Sequence, residues 1–130
     1  LPICSRLPEA NVLMMGETTE SQLATLYRAC AVYFGTSDHE GLAIPPLEAM
    51  AAGAPVVIRG TGAVPETVGN AALVAKPEAT ICELTEMLHA VLTNSKLRAT
   101  LVMRGREHVR YFYAQDTTQV FLEKINELAS

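Results

Sequence analysis

Apolar positions along the chain change their period several times, and each change marks an element. Asn11 to Gly16 (NVLMMG) is a short apolar run closed by glycine, the form of a strand. Leu23, Leu26, Tyr27 and Cys30 then recur at i, i+3, i+4 and i+7, the spacing of one helical face. Thr19 followed three residues later by Gln22 reads as a capping box at the start of that helix. Ala31 to Gly35 (AVYFG) is β-rich again, so the opening unit is strand, helix, strand. A short helix PLEAMAAG follows, with Pro45 and Pro46 in its first turn and Gly53 at its stop, and Ala54 to Ile58 (APVVI) forms a third strand.

The run RGTGAVPETVGN is rich in turn formers and predicts a single helical turn at most, before a fourth strand at Ala71 to Ala75 (AALVA). From there the pattern is helical. Thr80 with Glu83 makes a second capping box over Ile81, Leu84, Leu88 and Val91, and Asp116 with Gln119 a third over Val120, Phe121, Ile125 and Leu128. Between them Lys96 to Phe112 is a long helical pattern interrupted by Gly105. Strands alternating with helices predict an α/β fold, a mostly parallel sheet with helices on both faces, as a single domain over residues 1–130. Such sheets bind ligands at the carboxyl ends of their strands.

Composition narrows the function classes. With 49% hydrophobic and 18% charged residues, the 130-residue chain has apolar surface enough for a core and lacks the make-up of a disordered segment. Ten Lys and Arg against 14 Asp and Glu give a formal charge of -4, which argues against a nucleic-acid partner. Cys4, Cys30 and Cys82 are widely spaced and odd in number, so neither a disulfide framework nor a zinc site is indicated, and a reducing cytoplasm is expected. The longest apolar runs fall far short of the ~18 residues of a membrane span, and the N-terminus lacks the form of a signal peptide. Peripheral attachment at the cytoplasmic membrane face stays open, through a part not in this sequence.

The candidate chemistry follows AVYFG: Thr36, Ser37, Asp38, His39, Glu40 and Gly41, then the helix start. N–H groups at a helix N-terminus can hold a phosphate or diphosphate, and two carboxylates, Glu40 in the loop and Glu48 in the first helical turns, can accept hydrogen bonds from sugar hydroxyls. Each also has a plain structural explanation. A first-turn glutamate is stabilised by the helix dipole, a loop glutamate by solvation, and His39 has no nucleophile or metal partner spaced with it.

The run from Ser37 to Val57, S-x-x-E-G-L-A-I-P-P-L-E-A-M-A-A-G-A-P-V-V, closely resembles the E-x7-E signature region of retaining nucleotide-sugar glycosyltransferases of family 4, also called group 1. NVLMMGETTESQLATLYRACAVYFGTS is similar to the strand-helix-strand before that signature, and GTGAVPETVGNAALV to the G-x-P-E-x-V-G-x-A loop after it. The resemblance implies the second part of the C-terminal, Rossmann-like donor domain of a GT-B enzyme, in which two such domains face across a cleft. It implies transfer of a glycosyl group from a nucleotide diphosphate sugar to an acceptor hydroxyl with retention, and no metal or other cofactor.

It also implies residue roles. Glu40 would be the catalytic-face carboxylate against the transferred sugar. Glu48 would accept from the ribose hydroxyls. Ser37 and the backbone of Gly41, Leu42, Ala43 and Ile44 would contact donor sugar and diphosphate, and Gly16 and Glu17 would lie near the nucleobase. Gly62, Pro65 and Glu66 match a family loop too, but a turn followed by a capped helix explains them structurally and is the preferred account.

The family's R-x4-K pair, which grips the diphosphate, is absent, since Lys76, Lys96 and Lys124 all fall after the signature. The acceptor domain is absent too, so the chain alone is expected to be inactive. A non-catalytic or truncated nucleotide-sugar-binding module is the alternative. Two strand positions of a doubly wound sheet are unfilled, which predicts either that Asn11 to Gly16 moves beside Ala31 to Gly35 in a four-stranded sheet or that another chain supplies the strands. The isolated chain is expected to form a homodimer or to be poorly stable.

Overall fold

The computed structural model describes residues 12–39, 41–115, 122, 123 and 125–127. Its elements are α1 (Glu20–Ala29), β1 (Tyr33–Gly35), α2 (Ile44–Ala52), β2 (Val56–Arg59), α3 (Val64–Val68), a 3-10 turn (Gly69–Ala71), β3 (Leu73–Ala75), α4 (Ile81–Thr93) and α5 (Ser95–Ala114). The three strands pair in the order β1-β2-β3, all parallel, with Phe34 opposite Val57 and Ile58 opposite Val74. The α/β class and the parallel sheet are as the sequence predicts.

β2 sets the core. Val56, Val57 and Ile58 are all buried, the continuous apolar run of a strand covered on both faces. Side chains alternate across a strand, so Val56 and Ile58 pack with Leu47, Met50, Val64 and Val68 on the face of α2 and α3. Val57 packs with Val91 and Leu101 on the face of α4. Leu47 is wholly enclosed, and a buried leucine contributes about 1.5–3 kcal/mol.

Local signals placed most ends correctly. Thr19 and Gln22 form the reciprocal capping box of α1, and Thr80 and Glu83 that of α4. Gly53 caps α2 with φ 90°, a conformation that a side chain would strain, and its N–H bonds Ala49 and Met50 carbonyls. The third box, Asp116 with Gln119, lies outside the described residues.

Two expectations need correction. Residues 12–16 form no strand: Val12, Leu13, Met14 and Met15 are 49%, 79%, 58% and 47% exposed, and the described sheet has three strands rather than four. An apolar run becomes a strand only where a neighbour completes its ladder, and none of the described strands lies beside it. Gly105, read as an interruption, lies inside α5, which runs unbroken for 20 residues. The glycine is where α5 crosses α2, because a Cβ there would meet Met50 Cγ at 3.1 Å and Cβ at 3.2 Å.

The other end of the sheet collects helix C-termini. There the Arg106 guanidinium lies against Gly53, at the end of α2, and Arg98 Nη1 donates to the Leu92 carbonyl near the end of α4 at 3.4 Å. Cations at these ends offset the partial negative charge of the carbonyls. No helix among the described residues is long and apolar enough to cross a membrane.

Candidate functional site

Because the strands are parallel, the loops that leave their carboxyl ends lie side by side. Two cross-links hold them. The Thr61 hydroxyl, 9% exposed, donates to the Ser37 carbonyl at 2.8 Å, tying the loop after β2 to the loop after β1. Arg59, the last residue of β2, donates from Nη1 to the Pro77 carbonyl at 2.6 Å and the Ala79 carbonyl at 3.2 Å, bracing the loop after β3. Its Nε sits 3.9 Å from Asp38 Oδ1, an ion pair whose carboxylate is so exposed that it contributes little.

The loop after β1 ends at α2, whose N-cap Ala43 has φ 55° and ψ 52°. Ala43 is the single non-glycine residue with positive φ among the described residues, and it is 3% exposed. A left-handed alanine costs roughly 1–2 kcal/mol, strain of the kind that collects at functional sites. No side chain caps this helix, and its second and third residues, Pro45 and Pro46, have no N–H. Donors at this N-terminus therefore come from Ala43, Ile44 and the loop before them. A Cβ on Gly41 would meet nothing within 4 Å, and Leu42 is exposed, so space beside this turn is open.

The structure thus brings Gly41, Leu42, Ala43 and Ile44 into one turn, with Ser37 at the start of the same loop. Glu40 lies outside the described residues. His39 is exposed, as are Gly16 and Glu17 in the segment that leads into α1.

Glu48 is the fifth residue of α2, past its first turn, where no acidic residue stands. The dipole effect fades within that turn, so the structural explanation offered by the sequence weakens. The carboxylate turns toward α1, where the Tyr27 hydroxyl donates to Oε2 at a long 3.4 Å. Burial, then the Glu48 charge and the neighbouring Tyr33, push the Tyr27 phenol up to about 12. The Tyr27 ring meets Tyr33 edge-on, with centroids 6.1 Å apart. Glu48 and Tyr27 line a groove of about 550 Å³ between α1 and α2, with Glu20, Leu23, Arg28 and Ala51. Ser37 and residues 41–44 do not line it, so the turn and the groove are adjoining features rather than one cavity.

Gly62 makes the expected turn at φ 57°, and Pro65 and Glu66 follow Val64 in the first turn of α3. The helix is not capped by a side chain, because its N-cap residue is Ala63, which has no acceptor to offer; the nearby Thr61 hydroxyl is engaged with Ser37. Three residues of the site escaped the sequence reading. Thr61 and Arg59 were hidden in a turn-rich run, and Tyr27 read as a member of an apolar helical face; its hydroxyl partner lies 21 residues away. Among the described residues no group of three or more His, Cys, Asp or Glu is placed to hold a metal ion.

Comparison with known proteins adds to this geometry. Residues 2–108 match the family model described as glycosyl transferases group 1. The O-antigen chain mannosyltransferase B of Escherichia coli is 31% identical over 110 residues, which is 85% of this chain and 29% of that protein. The GDP-mannose-dependent monoacylated alpha-(1-6)-phosphatidylinositol monomannoside mannosyltransferase of Corynebacterium glutamicum is 39% identical over 75 residues, 58% of this chain and 20% of its own length. The MMP alpha-(1->4)-mannosyltransferase of Mycolicibacterium hassiacum is 35% identical over 91 residues, 68% of this chain and 22% of its own length. The chain therefore spans less than a third of each of these relatives. No solved structure gives a significant match.

Proposed function

Since the chain belongs to the group 1 glycosyl transferases, we propose that it is the donor-binding part of an enzyme that moves a glycosyl group from a nucleotide diphosphate sugar to an acceptor hydroxyl with retention. The observation that carries this reading is the turn at Gly41 to Ile44. It is strained at Ala43, open to solvent, and set at the N-terminus of a helix whose next two residues cannot donate. Donors fixed in this way stabilise charge on a departing diphosphate without reorganising as it develops, and chemistry of that kind needs no metal.

In this reading Glu40 faces the transferred sugar at the reacting centre. Backbone N–H groups of Gly41, Leu42, Ala43 and Ile44, with Ser37, contact sugar and diphosphate. Glu48 accepts from the ribose hydroxyls, and Gly16 and Glu17 lie toward the nucleobase. The remainder of the protein supplies the acceptor site and the missing diphosphate grip. A non-catalytic module draws no support from the relatives, which are named as transferases.

One relative is named GDP-mannose-dependent, which makes GDP-mannose the first donor to try. Calorimetry of the chain with GDP, UDP and ADP and their mannose and glucose conjugates tests the proposal, with Glu48→Ala as the variant. Saturable binding of one nucleotide series, weakened in Glu48→Ala, is expected. Absence of binding throughout, or binding that Glu48→Ala leaves unchanged, refutes the assignment of this site.

A further inference from the structure

The donor reading gives no role to the Tyr27 hydroxyl, which lines the same groove as Glu48. Tyr27 belongs to α1, a different element from α2, yet its hydroxyl reaches Glu48 Oε2 across the groove at 3.4 Å. The ring is half-buried and packed edge-on against Tyr33 of β1, so the phenol projects from a seated base. Glu48 is exposed, and among the described residues no other side chain contacts its carboxylate within hydrogen-bonding distance. An exposed glutamate with three side-chain torsions samples many orientations, which is costly to fix when a ligand arrives. A donor on one oxygen selects a carboxylate plane in advance and leaves the second oxygen free. Two neighbouring hydroxyls need such a plane, because both must find an acceptor on the same group at once.

We propose that Tyr27 is a positioning residue: by donating to one oxygen of Glu48 it sets the carboxylate for a vicinal diol, so that the site discriminates ribonucleotides from 2′-deoxyribonucleotides. This rests on the donor reading above. Tyr27 touches Glu48, and Glu48 touches the ligand. The phenol stays protonated throughout the neutral range, so it serves as donor and never competes as a second anion.

The test measures binding of GDP, UDP and ADP, each beside its 2′-deoxy form, to the unsubstituted chain, Tyr27→Phe and Glu48→Gln. Tyr27→Phe should weaken the favoured ribonucleotide about 3- to 10-fold, the value of one modest hydrogen bond, and change its deoxy counterpart by less than about 2-fold. Glu48→Gln should also collapse the ratio. A Tyr27→Phe variant that keeps the full preference overturns the positioning role and leaves the donor reading standing. Failure of the unsubstituted chain to bind any of the six overturns the donor reading, and the role built on it. Ultraviolet titration of the tyrosines supplies a check free of ligand, with Tyr27 assigned by difference from Tyr27→Phe. Burial, the larger cause, remains in Glu48→Gln, so its titration should fall only part of the way toward the ordinary value there; an unchanged curve means that the pair is not formed in solution, which overturns the proposal whatever the nucleotides do.

Discussion

Gly105→Ala sets two effects of known size against each other. Alanine in place of glycine inside a helix gains roughly 1 kcal/mol, because the unfolded chain has less freedom to lose. At this crossing the new methyl would stand 3.1 Å from Met50 Cγ, 3.2 Å from Cβ and 3.7 Å from Cα. Met50 is 1% exposed and enclosed by the core, so its Cβ can yield only if α2 and α5 separate by a few tenths of an ångström. Overpacking of this kind costs about 1–3 kcal/mol. A net loss of about 1 kcal/mol is expected, or about 3–6 °C in melting temperature for a chain of this size. Urea unfolding followed by circular dichroism measures it, with an unchanged slope required for the comparison. Met50→Ala removes the Cγ contact, so the two substitutions together should cost at least about 0.5 kcal/mol less than the sum of the single changes. If Gly105→Ala is more stable than the parent by the full helix increment, the crossing is looser than described and the reasoning fails.

Four further outcomes follow from other parts of the structure. Thr80→Ala should cost about 1 kcal/mol in the same unfolding assay, because it leaves the N-terminus of α4 without its cap. The Thr80 backbone N–H and hydroxyl hold the Glu83 carboxyl below its ordinary value, so its contribution is complete above that value and fades as pH falls through the lower folded one; Glu83→Gln should flatten the acid limb of melting temperature between about pH 3 and 5, and identical limbs would sink this. Thr61→Val strands the Ser37 carbonyl and should lose about 1–2 kcal/mol, whereas a variant as stable as the parent would show that the loops are not tied there. β1 is the terminal strand of the described sheet, with Phe34 41% exposed, and the apolar residues 12–15 are exposed as well; light scattering should find dimers or larger species, and a monodisperse monomer with a high melting temperature would contradict that.

What was legible in the sequence was what local chemistry decides. The Thr19 and Thr80 boxes, the prolines that open α2 and the glycine that ends it each act within a few residues, and each stands where the pattern put it. The turn from Gly41 to Ile44 was legible for the same reason, as a loop running into a helix. What failed depends on partners distant in the chain. The run at residues 12–16 has strand composition but no ladder beside it, and Gly105 reads as a break until Met50 is brought against it. The cross-links from Thr61 to Ser37 and from Tyr27 to Glu48 span 24 and 21 residues, and no local pattern announces them.

Both ladders of the sheet run through β2, and neither outer strand exceeds three residues. β1 and β3 have no sheet bonds to one another, so their alignment exists only while β2 is in place. The same strand ends in Arg59 and leads to Thr61, which hold the loops on either side. Parting of the loops at the carboxyl ends of the strands and loss of the sheet should therefore be one cooperative event: amide hydrogens in β1, β2 and β3 should exchange with a common free energy, rather than fraying inward from the edges. A frame of this kind can lose the arrangement of its loops only by losing the fold that carries them.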